Sequence, residues 1–266
     1  MMKFSLICSG SKGNCFYLED GTTQLLVDCG TTKKRMVDGL AKIGVQLQEL
    51  DAVLITHTHN DHIAGIKFFK DFPIYSPVEI DGLDVFIVEA DCSFAIESLQ
   101  IMPIALSHDA GKTLGYVFDN GLERLLYLTD TGYLNEKYIP FLKGMDYIIL
   151  ESNHDVNMLM KTNRPYVLKR RILDDEGHLS NESCASILEK IVTENTKSIW
   201  LAHLSQEANS PEIALNCSLD RLRHVLTNPN LKIAAAQQYE SLWKGENDEE
   251  MDFGQYCSTV SLESHS

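Results

Sequence analysis

Positive charge is scarce in this chain. Its 266 residues carry 23 Lys and Arg against 38 Asp and Glu, a formal charge of −15. Such an excess favours solubility and opposes broad, non-specific attraction to phosphate backbones or anionic lipid, while leaving room for a local basic patch. Long apolar runs are missing as well. Stretches such as Tyr147–Leu150 fall far short of the ~20 residues a membrane helix needs. The first residues break at Ser9-Gly10-Ser11 before a signal-peptide core could form, so a cytosolic (cytoplasmic) chain without a membrane partner is expected. Paired cysteines are absent too: seven scatter from Cys8 to Cys257 with no C-x-x-C. An odd, dispersed set argues against a disulfide framework and reads as reduced thiols in core positions. With 44% hydrophobic and 23% charged residues, the composition excludes disordered, collagenous and coiled-coil classes.

What is present reads as one α/β domain over residues 1–245, two β-rich layers covered by helices. Strands are expected at Lys3–Ser9, Phe16–Glu19, Gln24–Asp28 and Asp51–Thr56, with a hairpin turn at Asp20-Gly21. Helical spacing covers Lys33–Ile43, and Gly44 ends it. Six closely spaced strands between residues 74 and 129, including 84–89, resemble a sandwich, and Tyr147–Leu150, Ile199–His203 and Leu231–Ala234 follow as further strands. Helices are expected at Val156–Leu173 around Pro165, at Glu182–Val192 and at Glu212–Leu226. From 246 to 266 the chain turns acidic and loses periodicity, so a disordered tail is expected.

The sharpest chemical signal is His57-x-His59-x-Asp61-His62, directly after the strand Asp51–Thr56. Three imidazoles and a carboxylate in six residues make no sense as a hydrophobic core and are costly to crowd together unless a cation orders them. A strand end feeding a tight loop can aim His57 and His59 at one point and Asp61 and His62 at a neighbouring one. His and Asp suit Zn²⁺ and tolerate Mn²⁺ or Fe.

This hexapeptide resembles the hallmark of the metallo-β-lactamase-fold hydrolases. Further positions match in order: Asp28 at a strand end, His108 in Leu106-Ser107-His108-Asp109, Asp130 in Thr129-Asp130-Thr131-Gly132, and His203 in Ala202-His203-Leu204. A lone His at a strand end is more often satisfied by hydrogen bonds, and a lone Asp there is usually a turn residue. Matches in the right order, each after an apolar run, are not explained that way. The resemblance implies a four-layer αββα sandwich holding two divalent ions, Zn or Mn with Fe as a third candidate. His57, His59 and His108 would bind the first ion, Asp61, His62 and His203 the second, and Asp130 would bridge them, with Asp28 bracing the loop. It also implies a hydroxide shared by the two ions as nucleophile, with Asp61 as its orienting base.

Two more motifs narrow the chemistry. Gly177-His178-Leu179-Ser180-Asn181 opens the helix Glu182–Val192, with Asn181 expected as N-cap and Ser180 and Asn181 as anion contacts. Glu151-Ser152-Asn153-His154-Asp155 follows Tyr147–Leu150. Nuclease members of the family carry similar elements, which imply His178 as donor of the leaving-group proton and Glu151 as its partner. His154 is a candidate supporting group. With Ser9-Gly10-Ser11-x-Gly13-Asn14, these motifs resemble the bacterial WalJ/YycJ/VicX group. That group implies a phosphodiesterase acting on nucleic acid, DNA ahead of RNA, with 5′-to-3′ exonuclease polarity. Lys161, Arg164, Lys169, Arg170 and Arg171 lie between Glu151 and His178. They could track phosphates, Lys169, Arg170 and Arg171 above all, or form a solvated helix face. His224 and His265 receive no role. The competing readings are a small-molecule phosphodiesterase or lactonase, an RNA-processing nuclease, and a non-enzymatic regulatory module of a cell-wall two-component system. A homo-oligomer stays open.

Overall fold

The computed structural model describes residues 1–225, 228–245 and 250–259. Among these the strands are β1 (Lys3–Cys8), β2 (Cys15–Glu19), β3 (Gln24–Val27), β4 (Ala52–Leu54), β5 (Ile74–Ser76), β6 (Phe86–Ile87), β7 (Phe94–Ile96), β8 (Leu99–Leu106), β9 (Thr113–Asp119), β10 (Arg124–Leu128), β11 (Tyr147–Glu151), β12 (Ser198–Ala202), β13 (Lys232–Ala235), β14 (Leu242–Lys244), β15 (Met251–Asp252) and β16 (Cys257–Thr259). They form two eight-stranded sheets, ordered β15-β14-β1-β2-β3-β4-β5-β6 and β16-β13-β12-β11-β10-β9-β8-β7. The helices are α1 (Lys33–Lys42), α2 (Asn60–Ile63), α3 (Ile139–Leu142), α4 (Val156–Lys161), α5 (Tyr166–Leu173), α6 (Asn181–Ile191) and α7 (Pro211–Leu222).

The apolar runs have a direct reading in this arrangement. On β11, Tyr147 and Ile149 enter the core between the sheets, whereas Ile148 and Leu150 enter the core beneath α6 and α7. A strand covered on both faces has no solvent side, so its sequence does not alternate. Aromatic rings tie the two sheets together: Phe4 meets Trp200 at 4.8 Å and Tyr147 at 4.9 Å, and Phe16 stacks on Tyr127 at 4.9 Å. α1 covers the outer face of the first sheet through Met36 and Leu40. The layers are therefore helix, sheet, sheet, helix.

Both sheets are mixed, and in each a parallel run matters most. β3 pairs with β4 in parallel in one sheet, and β10, β11 and β12 pair in parallel in the other. Parallel strands put their carboxyl ends on one edge, the usual place for ligands in such sheets. Asp28, the hexapeptide 57–62, Asp130, Glu151 and His203 all follow or end those strands.

Some expectations are corrected. The segment 156–173 is two helices, α4 and α5, separated where Pro165 caps the second. The expected strand 84–89 shrinks to Phe86–Ile87. The N-cap of α6 is Ser180, whose side chain accepts from the Ser183 amide, and not Asn181. Within the expected disordered tail, Met251–Asp252 pairs with β14 and Cys257–Thr259 with β13. Short strands of two or three residues carry too little pattern to be seen in sequence. The last helix stops at Leu222, short of the expected Leu226, which lies outside the described residues, as do 246–249 and 260–266 of the tail with His265. No helix among the described residues is long and apolar enough to cross a membrane.

Candidate metal centre

Asp28, Asp130 and His203 have left-handed backbones, with φ of 59°, 60° and 54°. Non-glycine residues seldom adopt this region, Asp and His more readily than most, and such local strain gathers at functional sites. Each of the three stands just past the end of a strand, so the sharp turn aims its side chain across the shared edge.

Asp28 is fully buried and organises the loop after β4. Its carboxylate accepts the Thr56 amide at 2.9 Å and the Thr56 hydroxyl at 2.9 Å, and it bonds His62 Nδ1 at 2.7 Å. A carboxylate on Nδ1 fixes the orientation of the imidazole and turns Nε2 toward Asp130, 3.0 Å from its Oδ2. Chain crossings lock the same loop from behind: Asn14 N donates to Asp61 O at 2.8 Å, and Cys29 N donates to His62 O at 2.8 Å. Gly30 is required by this close approach, since a Cβ there would fall 1.6 Å from Asp61 O.

Two donor sets result. His57, His59 and His108 form a triangle with ring centroids 4.8, 5.0 and 5.1 Å apart. Asp61, His62 and His203 form the second set. Asp130 stands between them, with Oδ2 3.0 Å from His62 Nε2 and Oδ1 3.3 Å from His203 Nδ1 and 3.9 Å from His108 Nε2.

These residues fit divalent ions. His57 Nε2, His203 Nε2 and Asp130 Oδ2 are buried without a hydrogen-bond partner. The His62 ring stands at hydrogen-bond range from Asp130 Oδ2 but is not aligned to bond it. Three orphaned donor atoms in one cluster would be expensive in a folded protein unless a cation takes them. The protonation states divide. Burial alone would lower His62, but Asp28 and Asp130 hold it well above the ordinary histidine value, so it gives up a proton to ligate, whereas two other imidazoles are already held neutral. Burial, followed by repulsion from the neighbouring imidazoles, holds His57 well below the ordinary histidine value. Burial and His108 also lower His59. Neutral imidazole is the form that ligates. Burial would raise Asp130, but the imidazoles of His203 and His62 hold it well below the usual carboxylate range.

Glu151, at the end of β11, is fully buried and joins both parts of the site. Its Oε1 lies 2.8 Å from His178 Nδ1 and 3.0 Å from His203 Nδ1, while Oε2 accepts the Thr131 amide at 2.9 Å and the Leu179 amide at 3.3 Å. Burial opposes ionisation of both Glu151 and His178, but their mutual attraction wins, lowering the acid and raising the histidine. His178 lines a cleft of about 240 Å³ together with His59, Asp61, His108, Asp130, His203, Arg164 and Arg171.

The expected substrate contacts fare differently. Lys169 is 9% exposed, and its ammonium donates to the Met160 and Thr162 carbonyls at 2.7 and 2.8 Å, so it ends α4 and does not reach the cleft. Arg170 is exposed outside the cleft lining. Arg171 does line the cleft but is ion-paired to Asp109, and Arg164 is paired to Glu207 at 2.9 Å. Ser180 is committed to capping α6, and Asn181 is buried in a network with Ser152 and Asn209. His154 is buried behind the site and touches none of the donor atoms by hydrogen bond. Burial pushes it down to about 4. Sequence reasoning missed Ser9, whose hydroxyl accepts the His203 amide at 2.8 Å, and Asn153, whose side chain donates to His203 O at 2.9 Å. It also missed Asn14, 2.9 Å from His62 Nε2. All three lie in motifs already noticed, but only packing reveals their direction.

Comparison with known proteins agrees with this geometry. The family described as Beta-lactamase superfamily domain matches residues 23–203. The chain is 33% identical over 229 residues to exodeoxyribonuclease YycJ of Bacillus anthracis, covering 80% of this chain and 86% of that one. It is 36% identical over 228 residues to exodeoxyribonuclease WalJ of Streptococcus pneumoniae, covering 80% and 85%. The fold is similar to that of the metallo-β-lactamase fold protein YhfI from Bacillus subtilis, with a TM-score of 0.67 at 20% identity over 91% of this chain and 99% of that one. The chain therefore belongs to the β-lactamase superfamily, in its metallo-β-lactamase fold, and is a metal-dependent hydrolase.

Proposed function

We propose that this hydrolase is a dinuclear phosphodiesterase that degrades DNA in the 5′-to-3′ direction in the cytoplasm. The observation that supports it most is the pairing of His178 with Glu151 on the rim of the two donor sets, 2.8 Å apart. A structural metal site needs no such group. The names of the two exodeoxyribonuclease relatives point to the same substrate class.

In this reading His57, His59 and His108 would hold one ion and Asp61, His62 and His203 the other, with Asp130 available to both, Zn or Mn being the best match to the donors. When bound, the pair of ions would acidify a water toward neutral pH and withdraw charge from the phosphoryl oxygens. The protein's own groups do the rest. Asp61, with 26% of its side chain exposed, faces the cleft, orients the attacking water and takes its proton. His178 is held at Nδ1 by Glu151, so Nε2 is the nitrogen that delivers a proton to the departing oxygen. Arg164 and Arg171 line the same cleft, each paired with a carboxylate, Glu207 and Asp109 respectively.

The test is an assay of 5′- and 3′-labelled DNA and RNA, single- and double-stranded, with Mn²⁺ or Zn²⁺. DNA shortened from its 5′ end is expected. Turnover of small aryl phosphodiesters with intact DNA would favour a small-molecule esterase instead.

A further inference from the structure

A second cleft, of about 370 Å³, is lined by Thr32, Lys34, Arg35, Asp38, Lys42 and Tyr239 among others. Three of these are cations and one is an acid, in a chain whose formal charge is −15. The cations are also unspent. Among the described residues Lys12, Lys33, Lys34, Arg35 and Lys42 make no ion pair, whereas Arg164 and Arg171 in the catalytic cleft are each paired with a carboxylate. An unneutralised basic patch on an acidic protein is a local field that selects polyanions.

The two clefts are joined by backbone. Ser11 lines the catalytic cleft, and the next residue, Lys12, donates its amide to Gln238 Oε1 at 3.0 Å. Gln238 in turn donates to Gly13 O at 3.0 Å, and its neighbour Tyr239 lies under the Arg35 guanidinium, 3.9 Å from ring centroid to carbon. Tyr239 is 45% exposed, so an arginine–tyrosine stack is presented at the surface between the cations. Cations that follow a backbone, with an exposed aromatic among them, form the pattern of a sequence-tolerant single-strand track.

We propose that Lys34, Arg35, Lys42 and Tyr239 form a nucleic-acid strand-binding groove continuous with the catalytic cleft, gripping the part of the strand that is not being cut. The groove rests on the nuclease reading. It takes phosphates on the α1 lysines and a base against the Arg35–Tyr239 stack. It also supplies phosphate contacts that Lys169, being buried, and Arg171, being ion-paired, do not.

The experiment compares the parent with Lys34→Gln/Arg35→Gln/Lys42→Gln. Binding of a phosphorothioate single strand of about 20 nucleotides is measured across salt concentrations. Turnover of the same-sequence cleavable strand, of a dinucleotide and of an aryl phosphodiester is followed alongside. Gln keeps helix propensity, and Lys34→Glu/Lys42→Glu, at two exposed positions, serves as a second variant. Both should bind the long strand about 10–100-fold more weakly at 0.1 M salt, and the triple variant should lower the salt slope by roughly 2. Dinucleotide and aryl ester turnover should be unchanged. Undiminished affinity and slope in both variants, with the parent still cutting DNA, would overturn the groove and leave the nuclease reading standing. A parent that cleaves the aryl ester but neither binds nor cuts any strand would overturn both. Binding to vesicles of anionic lipid in place of the strand would likewise reassign the patch and overturn the groove.

Discussion

His203 Nδ1 lies 3.0 Å from Oε1 of Glu151, the same oxygen that holds His178 at 2.8 Å. One buried carboxylate thus orients a candidate metal ligand and the candidate proton donor together. Removing either histidine has a local effect; removing the carboxylate has two.

The variants should separate accordingly. Glu151→Gln is expected to loosen the metal by about 10–100-fold, as loss of a carboxylate behind a ligating histidine does, and to lower turnover as well. His178→Asn should leave metal content intact and slow DNA hydrolysis by about 10²–10⁴-fold. It should spare a p-nitrophenyl ester, whose leaving group needs no proton. Equal losses on both substrates would place His178 in phosphate or loop positioning.

Gly30→Ala tests whether the loop is clamped from behind. The added methyl has no room beside Asp61 O, 1.6 Å away, so the turn bearing Asp61 and His62 must move. Metal content by elemental analysis should fall together with activity. Full content and full activity would mean that the crossing is loose.

Lys169→Met separates a structural lysine from a phosphate contact. Two carbonyls lose their donor, an expected cost of about 1–3 kcal/mol in denaturant unfolding. Oligonucleotide affinity and its salt slope should not change. An unchanged stability with weaker binding would restore Lys169 to the substrate.

The α5 cations also mark where the sequence could not be read. The H-x-H-x-D-H cluster is legible because ligand chemistry needs particular residue types at close spacing, and the folded loop keeps that spacing. Asp28, Asp130 and His203 are legible because apolar strands end just before them. Lys169 and Asn181 are not: a run of sequence reports which groups are present, not which carbonyl or amide each will face. The groove at Lys34, Arg35 and Tyr239 joins positions some 200 residues apart, and nothing local connects them. The strands at 251–252 and 257–259 owe their existence to the open edges of β14 and β13, which no short-range pattern encodes.

Far from the cleft, Glu123 gives a pH signature. Its buried carboxylate accepts Met2 N at 2.6 Å, Tyr147 Oη at 2.8 Å and Lys197 Nζ at 2.8 Å. Burial pushes its pKa up, but Lys197 and the other donors prevail and hold it below the ordinary 4.5. A depressed carboxylate stabilises the fold above the unfolded value, and that stability is lost as pH falls through the folded one. Glu123→Gln should therefore be less stable than the parent at pH 7, with the gap closing below pH 4.5. A gap that stays constant into the acid range would assign the difference to packing.

The central claim is that Asp130 bridges two ions. Elemental analysis of protein purified without chelator tests it most directly, with Asp130→Ala and His57→Ala prepared alongside. The account predicts about two divalent metal ions per chain, with lower content and no hydrolysis in both variants. Folded, active protein carrying no metal, or Asp130→Ala retaining both ions and full activity, would contradict it.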